Sequence, residues 1–506
     1  MSDMYDVIII GSGLGGLECA YILSKEGYKV CVVEKNRQYG GCLQIFSRDK
    51  VIFDTGVHYI GGLDPGQNLY QYWNYFGLMD ELKIKKMDEG GFDRISFGNS
   101  EKEYKHAMGY EGFAHELITQ FPEEASGIQK YIEEIKKVCD HFPLYNLRTS
   151  DEISFDMKYL SINTKDFIAS CTDNVILQNV LGGSNALYAG YPDKTPLYVH
   201  ALVINTYIES AYKCVDGGGQ ITRHFEKSLK QMGCTLMNYA EVKHLHVNSS
   251  SISELELQDG QKLRAKQYIS NIHPSATMHL LEGGKIRKAY KNRMTSLENS
   301  ISVFTVHIVF KEDTFEYLNY NLYHHGDQDA WSSIYYDEAK WPESFALFVP
   351  AESKSEKYAS GMNLMAYMNF SEVEKWKDSF NTVPKHKSIR DQSYQDWKME
   401  KCEKLIDLLE IRIPGTKAKI KSYYASTPLS FRDYIGTTDG SLYGVRKDWN
   451  DPLKTYISPK TKVDNLFLTG QNLNMHGMLG VTVGSVVTCG QFMEVNELVK
   501  KIKAAN

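Results

Sequence analysis

The sequence predicts an α/β protein in which a parallel-sheet domain, assembled from discontinuous segments, is interrupted by a mixed α+β domain. Three observations predict it. The run Asp6-Val7-Ile8-Ile9-Ile10 reads as a parallel strand covered on both faces, and it leads straight into Gly11-Ser12-Gly13-Leu14-Gly15-Gly16. A helix-forming stretch to about Glu26, a stop at Gly27 and a second strand, Lys29-Val30-Cys31-Val32-Val33, complete a βαβ unit. Near the C-terminus the pattern returns as Leu466-Phe467-Leu468-Thr469-Gly470, followed by a Gly-rich helix.

Size and composition set the outer limits. A chain of 506 residues is too long for one ordinary core and can bury a large ligand. Its 42% hydrophobic and 24% charged residues, with a net charge of −6, are those of an ordinary enzyme and not of a nucleic-acid binder, which needs a clustered basic excess. The nine cysteines (19, 31, 42, 139, 171, 214, 234, 402 and 489) are scattered and form no C-x-x-C pair, so reduced thiols are expected and neither a disulfide framework nor a metal site is. Met1-Ser2-Asp3 leads into a strand within a few residues, with no basic-then-apolar signal region. A cytoplasmic protein is expected. No apolar run approaches the roughly 18 to 20 residues that span a bilayer, so any membrane contact is expected to be peripheral.

Between the two ends the pattern changes. Residues 110–200 read mainly as helices, among them the stretch 127–138, whose apolar positions 128, 131, 132, 135 and 138 recur at helical spacing. The βαβ pattern resumes near Gly217-Gly218-Gly219-Gln220-Ile221, with a helix to about Met232 and short strands at 234–238, 242–247 and 267–272. A strand-rich, aromatic stretch fills about 300–370, and Ser249-Ser250-Ser251 reads as a loop. The expected division is a nucleotide-binding domain from 1–90, 206–280 and 426–506, and a substrate domain from 91–205 (helical) and 281–425 (strand-rich).

The glycine motif is where chemistry enters. Gly11, Gly13 and Gly16 form G-x-G-x-x-G: the first permits a tight turn, the second lets the backbone approach a pyrophosphate, and the third lets helix pack closely on strand. The pyrophosphate is expected at the helix N-terminus, where free N–H groups and the dipole favour negative charge. Glu34, at the end of the second strand, stands at the offset where an acid holds a ribose hydroxyl. NAD and FAD share this fingerprint. The glycine loop Gly40-Gly41-Cys42 and the distant Leu468-Thr469-Gly470-Gln471, followed by a helix start at Gly477-Met478-Leu479-Gly480, favour FAD. A second helix N-terminus there can meet the N1–C2=O edge of a flavin. The fold expected is therefore a Rossmann-type FAD-binding domain in discontinuous segments, with a substrate domain inserted.

Gly40-Gly41-Cys42 followed by Phe53-Asp54-Thr55-Gly56-Val57-His58-Tyr59-Ile60-Gly61 resembles the retinol saturases, which group with phytoene desaturases and carotenoid isomerases in the amine-oxidase-like flavoproteins. Phe121-Pro122-Glu123-Glu124, His200-Ala201-Leu202-Val203-Ile204-Asn205, Ser270-Asn271-Ile272-His273-Pro274 and Phe467-Leu468-Thr469-Gly470-Gln471 extend the resemblance over most of the chain, most weakly at about 280–420. It implies non-covalent FAD, a polyene or isoprenoid substrate, and saturation, desaturation or isomerisation of a conjugated double bond, with NAD(P)H as the candidate external reductant. It also implies that Gly11, Gly13, Gly16, Glu34, Gly41, Gly470 and Gln471 touch FAD and that Val242 meets the adenine through its backbone. Lys35, Gly40, Gly480 and Val481, which adjoin these motifs, complete the expected cofactor set. Two positions depart from the family: Asn472 stands where relatives often carry aspartate, and Asp216 where saturases tend to have Arg or Pro.

His58 and His476, both beside glycine-rich motifs, are candidates to relay a proton after hydride transfer. Tyr59, Arg432, Tyr434 and Tyr443 are candidates to line the substrate tunnel, and the 34 tyrosines in all suit a lipid with one polar end. Two rivals share the fold: an amine oxidase, which surrounds its flavin with an aromatic cage, and a non-catalytic isoprenoid-lipid carrier, for which a damaged nucleotide motif is expected. No Walker loop, H-E-x-x-H or G-x-S-x-G motif is present.

Overall fold

The computed structural model describes residues 4–149, 157–284, 286–381 and 390–506. Residues 1–3, 150–156, 285 and 382–389 lie outside the described residues, and with them the opening Met1-Ser2-Asp3 and part of the expected helical stretch.

Strand β1 (Tyr5–Ile10), helix α1 (Leu14–Lys25) and strand β2 (Val30–Val33) form the first unit. All four residues of β2 and the last four of β1 are buried, as continuous apolar strands covered on both faces require. They sit in a five-stranded sheet, parallel throughout, in the order Thr235–Met237, β2, β1, Ala265–Ser270, Leu466–Leu468. Three stretches far apart in the chain therefore close one sheet. The architecture is mixed α/β with a Rossmann-type dinucleotide-binding sheet.

A four-stranded sheet lies beside it, built on the antiparallel pair Val242–Asn248 and Ser251–Leu257. The serine-rich loop is the turn of this hairpin. Its second strand, and the short Lys262–Leu263 that pairs with it, are not evident from the sequence because their apolar residues alternate with charged ones over only a few positions. The strand expected at 267–272 ends at Ser270, one turn before the helix Pro274–Leu280.

A third, seven-stranded sheet runs in the order Ile420–Ser426, Ser302–Phe310, Gly361–Met368, Phe345–Phe348, Asn321–His325, Asp93–Phe97, Glu103–His106. Its long strand Ser302–Phe310 is buried at all nine positions. Asp93–Phe97 runs parallel to Asn321–His325, with Asn321 opposite Asp93. Helices make up most of the described residues of 110–200: Ala125–Asp140 buries Ile128, Tyr131, Ile132, Ile135 and Val138 along one face, and packs on Leu197–Glu209. The nine cysteines are unpaired, and all but Cys42 are buried.

Helix α1 is buried on nearly every side between the helices Gly219–Gln231 and Gly477–Cys489. Its one buried acid, Glu18, accepts Thr482 Oγ1 at 2.6 Å and Ser485 Oγ at 3.0 Å from the second of these. Burial pushes this carboxyl from 4.5 up to about 8, against the pull of those hydroxyls, so the folded protein holds it neutral at pH 7. The unfolded chain releases the proton at its ordinary pKa and the folded chain near 8, so stability is lost as pH rises across that window. Glu18→Gln keeps acceptors for both hydroxyls without the charge. The expected outcome is a thermal midpoint that no longer declines as steeply between pH 5 and 8, with a gain of roughly 1 kcal/mol or more at the upper end; scanning calorimetry across that range checks it.

Candidate functional site

A cavity of about 450 Å³ begins at the N-terminus of α1, where Gly11, Ser12, Gly13, Leu14 and Gly15 line it. Gly11 takes φ +90°, a left-handed turn that only glycine adopts at no cost. The N-cap Gly13 has no side chain with which to bond the first N–H groups of the helix. A Cβ on Gly41 would come within 3.2 Å of Gly13 Cα, so the loop after β2 closes down on the helix start.

Glu34, at the end of β2, faces the same cavity. Its Oε2 accepts Ser12 N at 3.1 Å and Ser12 Oγ at 2.6 Å, and its Oε1 accepts Asn36 N at 2.8 Å. These bonds fix the carboxylate and leave one acceptor direction for a further hydroxyl. Ala240, Glu241 and Val242 line the wall beside it, held there by the bond from Ala240 N to Glu34 O at 2.8 Å. Lys35, Gly40, Gly41, Gly470, Gln471 and Val481 also line the cavity, as do Asn472, Gly477 and Met478 at the start of the helix Gly477–Cys489. Two helix N-termini thus border one space.

At its other end the cavity turns aromatic and apolar. Tyr59, Tyr207, Tyr323, Phe345, Phe348, Met365 and Tyr367 line it, several of them from the seven-stranded sheet. Tyr443 joins them, its hydroxyl donating to Ala186 O at 2.9 Å. The only carboxylates lining the cavity among the described residues are Glu34 and Glu241, both at the nucleotide end.

His58 lies in the wall, its ring stacked on Phe348 at 4.6 Å and its Nε2 buried without a partner among the described residues. Burial, with His307 and Lys213 nearby, pulls its pKa down to about 3. His476 caps the helix Gly477–Cys489, stacks at 4.5 Å on Tyr443, and is likewise drawn down to about 3 by burial and then Lys447. Both imidazoles are therefore neutral at pH 7, and neither holds the second proton that an imidazolium donor needs.

Four expected site residues stand off the cavity wall. Gly16 is occupied with packing: a Cβ there would reach Gly11 O at 2.2 Å. Gly480 is pressed against Met475, 2.7 Å from where its Cβ would stand. His476 sits behind Tyr443. Arg432 is drawn away by the buried Asp433: its guanidinium donates to that carboxylate and to the Lys377 and Ser379 carbonyls, while Arg390 takes Asp433 Oδ2 at 2.5 Å. Tyr434 lines the cavity, but at the nucleotide end, where its carbonyl accepts Asn36 Nδ2 at 2.7 Å.

The structure also brings together residues that the sequence does not connect. Tyr59 Oη donates to Asp93 Oδ2 at 2.8 Å and lies 2.7 Å from Tyr323 Oη. Asn271, with its amide oxygen turned toward α1, accepts Gly13 N at 3.1 Å and Gly16 N at 3.3 Å. Among the described residues no group of three His, Cys, Asp or Glu side chains could hold a metal ion, and no helix is long and apolar enough to cross a membrane. Within 110–200 the only large apolar side chain exposed among them is Val175.

Fold and site together define a protein with a Rossmann-type dinucleotide-binding fold. Residues 9–76 match the family model of the NAD(P)-binding Rossmann-like domain. A solved oxidoreductase from Methanosarcina mazei shares the fold at a TM-score of 0.61 and 15% identity, over 95% of this chain and 98% of that one. Putrescine oxidase does so at 0.62 and 14%, over 99% of each chain. The chain is homologous over nearly its whole length to the all-trans-retinol 13,14-reductase of Danio rerio, 25% identical over 99% of this chain and 89% of the relative. It is also homologous to the chloroplastic prolycopene isomerase of Daucus carota, 24% identical over 93% of this chain and 77% of the relative.

Proposed function

We propose that this protein is an FAD-dependent oxidoreductase acting on a conjugated carbon–carbon double bond of a polyene or isoprenoid lipid. One observation carries the reading: a single cavity joins a nucleotide end, with two helix N-termini and a fixed carboxylate, to an aromatic and apolar end. The residues present fit FAD. The glycine turn and the uncapped start of α1 suit a pyrophosphate, Glu34 keeps an acceptor for a ribose hydroxyl, and the Ala240–Val242 backbone suits an adenine edge. Gly470, Gln471, Gly477 and Val481 would hold the far end of the cofactor. When bound, the flavin supplies or takes a hydride at N5.

The chain's own part is to bind, orient and keep out water. Tyr59, Phe348, Met365 and Tyr367 give the polyene a dry wall that sets which double bond stands at the reacting position. A carrier without cofactor is disfavoured because Gly11, Gly13, Gly16 and Glu34 are all intact. Since a polyene is nearly absent from water, reversible contact with a bilayer follows; flotation with liposomes measures it, and a protein that stays unbound at low and high salt would speak against a membrane-drawn substrate.

Glu34→Ala is expected to weaken FAD by roughly 1 to 3 kcal/mol, the loss of a charge-assisted hydrogen bond together with the Ser12 and Asn36 anchors. Fluorescence titration of the apoprotein checks this, and unchanged affinity would leave Glu34 a structural acid only. For the reaction, the yellow protein is incubated anaerobically with all-trans-retinol or a poly-cis carotene, in the oxidised form and after reduction by NADPH or dithionite. Products altered by two mass units, or isomerised at constant mass, are expected. Protein that is colourless and stays so with added FAD would overturn the reading.

A further inference from the structure

The aromatic end of the cavity carries one polar chain, and its order is unusual for an apolar wall. Tyr59 and Tyr323 both line the cavity, and their hydroxyl oxygens are 2.7 Å apart. Behind them Asp93 is 1% exposed. Its Oδ2 accepts Tyr59 Oη at 2.8 Å and its Oδ1 accepts Asn321 Nδ2 at 2.9 Å. Strand pairing holds the group rigidly, since Asn321 lies directly opposite Asp93 and Tyr323 follows two residues later on the same face. Tyr59 Oη has two partners, whereas Tyr323 Oη has Tyr59 alone among the described residues.

A hydroxyl donates one proton, so this chain has a direction. With Asp93 ionised, Tyr59 donates to the carboxylate and Tyr323 donates to Tyr59. With Asp93 protonated, the carboxyl donates to Tyr59, Tyr59 donates to Tyr323, and the proton of Tyr323 is released toward the cavity. We propose that Asp93, Tyr59 and Tyr323 form a proton relay, with Tyr323 Oη the catalytic acid that protonates the substrate carbon adjacent to the one receiving the hydride.

The inference rests on the reaction proposed above. In saturation, the first alkene carbon forms a C–H bond with the hydride given up by the reduced flavin, which is oxidised by two electrons as the alkene is reduced by two. The π pair then forms the second C–H bond with the proton of Tyr323. Tyr323 takes the proton of Tyr59, Tyr59 takes that of Asp93, and the Asp93 carboxylate regains a proton from water after product leaves. Desaturation runs the same chain backward, with Asp93 as the final acceptor.

The surroundings suit both forms of the relay. Burial pushes the Asp93 carboxyl up to about 7, against the pull of Asn321, Tyr59 and Lys213, so a protonated and an ionised population coexist near neutrality. The titratable groups facing it are Tyr59, Tyr207 and Tyr323, Lys213 from the strand Ala211–Cys214, and His106 opposite it in the ladder. Burial raises all three phenols far above their ordinary range, so they keep their protons. His106 is held near 4 and stays neutral. Lys213, whose Nζ donates to Leu318 O at 3.0 Å, is drawn down to about 7 by burial. Neither His58 nor His476 can do this work, since both lack the second proton.

The test uses the full-length FAD-loaded protein, reduced anaerobically and mixed with all-trans-retinol, with Tyr323→Phe, Tyr59→Phe and Asp93→Asn beside the wild type. The variants are expected to bind FAD and to be reduced like the wild type, yet to form saturated product about 100-fold more slowly or worse, the usual size of a lost general acid. The wild-type rate of saturation is expected to fall as pH rises through about 7, and this limb should vanish in Asp93→Asn, which a structural role alone would not produce. Apart from turnover, infrared difference spectra should show a buried carboxylic C=O band titrating near neutrality, absent in Asp93→Asn and shifted in Tyr59→Phe. Wild-type rates and pH profile in Tyr323→Phe and Asp93→Asn, or no band lost in Asp93→Asn, overturn the relay and leave the proposed reaction standing. A wild type inert toward retinol and poly-cis carotene whose band still titrates overturns the proposed reaction and, with it, the relay's catalytic use.

Discussion

The close packing of four glycines around the amide of Asn271 is the contact on which the cofactor side of this molecule depends. A Cβ added at Gly13, Gly15, Gly16 or Gly470 would stand 2.9, 2.9, 3.1 or 2.3 Å from an atom of that amide. Asn271 follows the central strand Ala265–Ser270, and its own N–H donates to Ile10 O at 2.8 Å. One residue, through its backbone and its side chain, thus ties together the ends of three neighbouring strands and the start of α1. Because the glycines yield room for it, the helix begins where its N–H groups border the cavity. The fingerprint spacing is then a packing requirement as much as a binding one: Gly16 serves the first purpose only, and Gly13 both.

Burial governs the charge of the interior. Asp54, whose Oδ1 accepts Gly218 N at 2.7 Å, is raised to about 7, and Glu18 further. Lys447, buried among the carbonyls of Thr455, Asn472 and Leu473, is lowered to about 7. Acids that hold their protons and bases that shed theirs leave a core with little fixed charge, which is the environment in which an apolar substrate displaces water at small cost. Asp433 is buried against two arginines at once, Arg390 and Arg432, and serves the chain as an anchor and not a reactant.

How much of this was legible in the sequence follows from the range of the interactions. The first βαβ unit was plain because its strands, glycines and acid lie within 34 residues and each signal is local. The strand at Leu466–Leu468 was found by the same signature, but that it borders Ala265–Ser270 is a tertiary fact. Arg432 was misjudged because the sequence marks a cation without revealing that an adjacent aspartate is buried and claims it. Asn472, read as a departure from the family, proves to accept Val445 N at 3.3 Å through its amide oxygen, a bond a carboxylate would also make. Asp93, Asn321 and Tyr323 were invisible since they meet only through pairing of strands more than 200 residues apart.

The division of the cavity into a polar and an aromatic end also sets how a substrate is recognised. Hydrogen bonds discriminate strongly, but a polyene presents none along its length, and one methylene in an apolar pocket is worth only about 1 to 3 kcal/mol. Recognition at that end must come from shape, set by Phe345, Phe348 and Met365, and from where the tunnel stops the chain. Chemistry, by contrast, must come from the polar atoms that line this end, among which two phenols are joined to a carboxyl behind them. A site built this way can exchange one conjugated lipid for another by altering its apolar lining, while the polar chain fixes which carbon is protonated.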